Sequence, residues 1–175
     1  SPGQIRRYQK KYGIRTIINL RGADETRRYA LEAETCRALG IRLIDFKGIL
    51  SRSAPYPEVV ASARAMFDEI AYPALIHCKS GADRAGFAAA LYRIFRLGHT
   101  VPDATAELAW HYGHLKGSKT GILDFFFEEY LRANAREPID FQVWLNTVYA
   151  RDPLKEAFHA RGWADFLVDK ILHRE

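Results

Sequence analysis

The sequence predicts an α/β fold: a central, mostly parallel sheet flanked by helices, with a helical extension at the C-terminal end. Three observations lead there. Short apolar runs at residues 16–20 (T-I-I-N-L), 41–46 (I-R-L-I-D-F) and 74–77 (A-L-I-H) have the length of buried strands. Stretches of helical periodicity alternate with them, which is the pattern of a parallel sheet with crossover connections. From residue 100 onward the chain reads as helical throughout.

The elements follow in order. Ser1-Pro2-Gly3-Gln4 has the form of a helix start, with Ser1 as cap, Pro2 in the first turn and Gln4 three residues beyond the cap, and that helix runs to Gly13. After the first strand, Arg21-Gly22-Ala23-Asp24 turns the chain into a helix of about residues 25–39, stopped by Gly40. A loop from Lys47 to Tyr56 follows the second strand. It leads to Val59, Val60, Ala63, Met66, Phe67 and Ile70 at helical spacing. Pro73 ends that helix, and beyond the third strand residues 85–97 form an Ala-rich helix closed by Gly98. Further helices are expected at about 101–113, 121–136, 139–150 and 154–173, separated at Gly117, Pro138, Pro153 and Gly162. Trp163, Phe166, Leu167 and Ile171 make an apolar stripe on the last one, expected to pack on the core. No linker sets off a second unit, so residues 1–175 read as one domain, with a core of about 1–136 and a helical extension of about 138–175.

Composition narrows the function classes. A 48% apolar share over 175 residues supports a compact core and argues against disorder. Two cysteines build no disulfide framework, and none pairs with histidine at zinc-finger spacing, so a reducing, cytoplasmic setting without a metal is expected. No apolar run approaches the roughly 20 residues of a membrane span, and no signal-peptide pattern is read, an anchor upstream of Ser1 being left open. The net charge of +5, with clusters at Arg6-Arg7, Lys10-Lys11 and Arg27-Arg28, favours anionic partners, a membrane surface among them. No nucleic-acid module is recognised. His111, His114, Lys116 and Lys119 have two readings, the rim of a site or a helix end and a basic loop; the second is favoured, and His111 and His114, three apart without a carboxylate or Cys partner, are poor evidence for a metal.

The chemistry concentrates in residues 74–86, A-L-I-H-C-K-S-G-A-D-R-A-G. A strand ends at His77, five residues curl through Gly81 from Cys78, and a helix begins near Arg84. Backbone N–H groups of Lys79, Ser80, Gly81 and Ala82 and of the first helical turn then converge on one point, which attracts an anion. Arg84 offers a planar fork for two phosphate oxygens. The thiolate is the nucleophilic form of a cysteine. A helix dipole contributes only about 0.3–2 kcal/mol toward holding it, so amides and guanidinium together must do the rest. Cys36 is the internal control: it also has an Arg six residues on, but it sits in the last turns of a helix and is read as structural.

The stretch His77-Cys78-x5-Arg84, between a short strand and a helix, resembles the signature of the cysteine-dependent protein tyrosine and dual-specificity phosphatases. With T-I-I-N-L-R and P-A-L-I-H-C-K-S-G-A-D-R-A-G around it, the chain resembles small bacterial members and the atypical plant and fungal dual-specificity branch, from about residue 10 to 135. The resemblance implies a tyrosine-phosphatase-like fold and two-step phosphomonoester hydrolysis through a phosphocysteine on Cys78, with Arg84 and the loop amides holding the transferred group and no cofactor. It implies a phosphorylated protein, lipid or inositol as substrate.

Two departures stand out. Relatives usually carry an acidic aspartate on a mobile loop some thirty residues before the cysteine, but residues 48–57 hold no carboxylate. Asp83 within the loop, Asp45 at the end of the second strand and, more weakly, Glu58 are the candidates for the acid. Asp83 has an equal alternative, bracing the loop or pairing with a neighbouring base. Ala85 stands where many relatives have a Ser or Thr that eases departure of the thiolate, which predicts slow turnover. The competing reading is a catalytically weak pseudophosphatase that binds phosphorylated partners; a sulfurtransferase or arsenate-reducing enzyme with a similar loop is a third.

Overall fold

The computed structural model describes the backbone of residues 1–172 and the side chains of residues 1–162. The side chains of the stripe expected at Trp163, Phe166, Leu167 and Ile171 lie outside the described residues. Three strands, β1 (Thr16–Asn19), β2 (Arg42–Asp45) and β3 (Ala74–His77), form one parallel sheet in the order β2-β1-β3.

Side-chain alternation sorts the sheet into two faces. Ile17 stands level with Leu43 and Leu75, and these three face a small core with Ile5, Ile14, Cys36 and Ile41, contributed by α1 (Pro2–Tyr12), α2 (Arg27–Ala38) and their connections. Ile18, level with Ile44 and Ile76, faces the main core beneath α3 (Pro57–Glu69) and α4 (Asp83–Leu97). The central strand β1 is therefore covered on both faces, and all four of its residues are buried.

The C-terminal half closes the large face. In α6 (Ile122–Arg136), Phe125, Phe126 and Phe127 are all buried, as expected of a helix hemmed in on most sides. Phe126 meets Phe87 of α4 edge-on, and also Phe141 and Trp144 of α7 (Phe141–Thr147). The first helix of the expected extension thus supplies Phe141, Trp144 and Leu145 to the main core itself.

Two helix boundaries differ from expectation. The predicted helix over 101–113 is instead a four-residue α5 (Val101–Ala104) followed by 3-10 turns at Thr105–Glu107 and Trp110–Tyr112. Leu108 and His114 are both buried, while Trp110 between them is 80% exposed. Positions four apart lie about 40° around a helix axis, so exposing Trp110 while burying His114 requires the chain to leave the helix, which it does at an extended Ala109 and a left-handed Gly113. Pro153 and Gly162 do not interrupt α8 (Arg151–Leu172). The proline occupies its first turn, where the missing N–H costs no intrahelical bond.

Tyr149 and Arg151, just before and at the start of α8, hold the loop that follows β2. Arg151 donates from Nε to the Ala54 carbonyl at 3.0 Å and from Nη2 to Ser53 Oγ at 2.7 Å, and its guanidinium lies 3.8 Å from the centre of the Tyr56 ring. The Tyr149 hydroxyl donates to the Pro55 carbonyl at 2.7 Å. Within that loop Ile49 and Ala54 are fully buried, so it is packed near both ends, and the clasp holds its C-terminal part from Ser53 to Tyr56. Arg151→Ala is expected to cost roughly 2–3 kcal/mol, from lost charge-assisted hydrogen bonds and the aromatic contact. The denaturation midpoint of the variant should fall, with faster amide exchange across residues 50–56.

Candidate active site

Chain order and strand order part company at β1: the connection through α2 leads to one neighbour, and the next crossover, through α3, lands on the other side. Such a switch opens a crevice at the carboxyl ends of the strands. Cys78 stands there, one residue past β3.

The strand end is built by a buried polar side chain. Asn19, 3% exposed at the end of β1, donates from Nδ2 to the Gly22 carbonyl at 3.0 Å and to Asp45 Oδ1 at 2.8 Å, and its Oδ1 accepts from the Arg21 N–H at 3.0 Å. These bonds fold residues 19–22 back tightly enough that a Cβ on Gly22, whose φ is +77°, would sit 2.5 Å from Lys47 Cγ. Leu20 is held across the sheet by its N–H on the His77 carbonyl at 2.9 Å. Its own carbonyl receives Arg84 Nη1 at 3.2 Å. One of the five donors of Arg84 is fixed in this way, and among the described residues no other acceptor takes the rest.

Between those anchors the loop curls around the sulfur. The Gly81 N–H points at Cys78 Sγ, 3.3 Å away, in the left-handed conformation (φ +79°) that glycine adopts without strain. Lys79 and Ser80 are exposed at the lip and Ala82 is buried beneath it. The five-residue curl and the Cys78, Arg84 placement expected from the spacing are present; an amide is aimed at the thiol and a guanidinium is braced beside β1. This arrangement can seat a tetrahedral oxyanion against a nucleophile.

His114 is the residue that sequence reading missed. Its ring is buried, with Nδ1 2.8 Å from Asp83 Oδ1 and Nε2 2.6 Å from Asp124 Oδ2. Burial works against its protonation, but the two carboxylates outweigh burial and raise its proton affinity above that of an ordinary histidine. Two glycines admit the segment that carries it. A Cβ on Gly86 would meet the Glu107 carbonyl at 2.6 Å, and one on Gly121 would meet the Lys116 carbonyl at 1.9 Å. The turn reaches the loop of residues 78–84 itself, Gly113 lying against Ala82. Three partners 31 and 10 residues apart leave no local pattern, and only Asp124 in the first turn of a helix after S-K-T-G has any local sequence cue, as a capping carboxylate.

The two candidate acids, Asp45 and Asp83, and the polar groups around the strand ends are distributed as follows. Asp45 accepts from Asn19 and, at 2.5 Å, from the Tyr29 hydroxyl, so both its oxygens have donors; it ends the strand on the far side of β1, roughly 10 Å from β3 at the usual strand spacing. Asp83 begins α4 and turns one oxygen to His114. Arg21 pairs with Asp24 at 2.9 Å. His77 Nε2 lies 2.8 Å from Glu32 Oε1, without the alignment of a hydrogen bond, and that carboxylate raises its affinity for a proton. Burial, helped by Glu32, pushes the Cys36 thiol up to about 11, which fits an inert core cysteine. No cluster of metal-ligating side chains occurs among the described residues, and no described helix is long and apolar enough to cross a membrane.

A family model described as the tyrosine phosphatase family matches residues 2–95, just over half of the chain, and spans Cys78 and Arg84 but not His114. Among solved structures, PTPMT1 is similar with a TM-score of 0.53 at 17% identity, over 78% of this chain and 90% of that one. Tk-PTP in its active form is similar with a TM-score of 0.55 at 17% identity, over 74% of this chain and 86% of that one. At such identity the likeness concerns the fold. No protein with a curated description matches the sequence.

Gly121→Ala is expected to cost about 1–3 kcal/mol, because backbone rather than a flexible side chain occupies the space. Thermal denaturation should show the loss, and the NMR signals of His114 should move with it.

Proposed function

The chain belongs to the tyrosine phosphatase family and is a cysteine-dependent phosphatase, and from that premise we propose that it hydrolyses phosphomonoesters in two steps through a phosphocysteine on Cys78. The observation that carries this reading is the Gly81 N–H aimed at Cys78 Sγ at 3.3 Å, with Arg84 anchored on Leu20 beside it. A donor already turned toward the sulfur also lies where an oxygen of a transferring phosphoryl group would gather charge.

In the first step the Cys78 thiolate attacks phosphorus in line, the S–P bond forms, and the P–O bond to the leaving group breaks. Arg84 and the loop amides hold the three equatorial oxygens while their charge redistributes. An aryl leaving group departs as a stabilised anion; an alkyl one needs a proton. In the second step water attacks phosphorus, inorganic phosphate leaves, and the thiolate returns. Ala85 brings no hydroxyl to ease that return, so the second step is the slower one.

Exposed Lys79 and Ser80 at the lip favour substrates with further negative charge near the ester. Phosphorylated proteins and the headgroups of inositol phosphates and phospholipids have that chemistry, and a screen of purified protein against these classes separates them.

Phosphate release from para-nitrophenyl phosphate should be abolished by Cys78→Ser. Phosphopeptide binding without release by the wild-type protein would overturn the reading. Rapid mixing should show a burst of nitrophenol followed by a slower steady rate, and Ala85→Ser should raise the steady rate while leaving the burst intact.

A further inference from the structure

Asp83 has two roles open to it, and the ring beside it distinguishes them. His114 sits in a turn that otherwise faces water, yet its side chain is 1% exposed and each ring nitrogen has its own carboxylate. Ionised carboxylates only accept hydrogen bonds, so a ring that satisfies both must donate from both nitrogens, and only the imidazolium does so. The alternative is a neutral ring and one carboxylic acid. It would place a proton on a group in the first turn of a helix, Asp83 in α4 or Asp124 in α6, where the backbone dipoles favour the anion. Asp83 and Asp124 are the charged groups facing the ring, and Lys116 on the same segment is drawn away to Glu128 at 2.7 Å.

We propose that His114 is a positioning residue for the phosphate loop: an imidazolium clamped between Asp83 and Asp124 that keeps Asp83 a fixed anion, a brace for the head of α4 rather than the proton donor. This rests on the phosphoryl transfer assigned above to Cys78. The clamp does two things at the site. It fixes the first residue of α4, and with it the direction in which Arg84, the next residue, leaves the helix. It also cancels one of two negative charges beside a pocket that must receive a dianion. As pH rises through the elevated titration point of His114, the ring loses its charge while both carboxylates keep theirs. Loop stability and phosphate affinity are therefore complete below the ordinary histidine range and decline on the alkaline side.

The chain of residues 1–175 tests this in two ways. Nitrogen-15 NMR of the wild-type protein at neutral pH should show both ring nitrogens of His114 protonated. His114→Asn and Asp83→Asn should each lower kcat/KM, which reports formation of the phosphocysteine, by roughly a hundredfold, equally on para-nitrophenyl phosphate and on glycerol phosphate, and both should weaken vanadate inhibition. The alkaline decline in vanadate affinity should disappear in His114→Asn. A neutral ring in the wild-type protein overturns the proposal, as does a loss confined to glycerol phosphate, which would make Asp83 the donor. Unchanged kinetics in His114→Asn overturns it too. If that variant fails to fold, the NMR result and the leaving-group comparison in Asp83→Asn still decide. Absence of Cys78-dependent turnover in the wild-type protein would defeat the phosphatase mechanism separately, with the protonation of the ring still deciding the clamp.

Discussion

Backbone amides hold an anion only while the chain that carries them is prevented from turning them toward water. Everything around residues 78–84 serves that constraint. At one end the sheet fixes Cys78, because His77 is level with Asn19 in β3 and its carbonyl binds the Leu20 N–H. At the other end α4 begins at Asp83, and Arg84 reaches back to the Leu20 carbonyl. The two ends of the loop are thus tied to one residue, Leu20, just past β1, and Gly81 supplies the left-handed residue that the short path between them needs.

Tying the ends to β1 shifts the burden to β1 itself. It bears that load because both its faces are covered, and because Asn19 satisfies the polar groups where the strand meets the turn. A buried amide side chain is costly when unpaired and specifying when paired. Here it links the exits of β1 and β2 through Asp45, so the aspartate that was a candidate acid is part of the scaffold of the strand ends. The Tyr29 hydroxyl on its other oxygen extends that scaffold to α2.

The C-terminal third is integral to this support. Phe141 and Trp144 enter the aromatic core around Phe126, Tyr149 and Arg151 clasp the loop after β2, and Asp124 at the start of α6 completes the partners of His114. The loop at residues 48–57, where relatives are expected to carry a mobile acid, is here bonded to Arg151, the first residue of α8. A chain cut after α6 would keep Cys78 and Arg84 and lose that clasp.

By itself the sequence determined the three strands, their parallel arrangement and the loop from Cys78 to Arg84, because each is written in neighbouring residues: β-branched runs of strand length, glycines and prolines that end helices, and a cysteine and an arginine at a fixed offset around a glycine. It also set Cys36 apart, since a cysteine in the last turns of a helix has no converging amides. The break in the helix expected at 101–113, the partner of Asp83 and the integration of α7 into the core were decided only by tertiary structure. Those features depend on which side chain meets which across tens of residues, as His114 meets Asp83, and on volumes that close only when the layers are packed, as at Gly86 and Gly121. Local propensity cannot register a contact whose other half lies elsewhere in the chain.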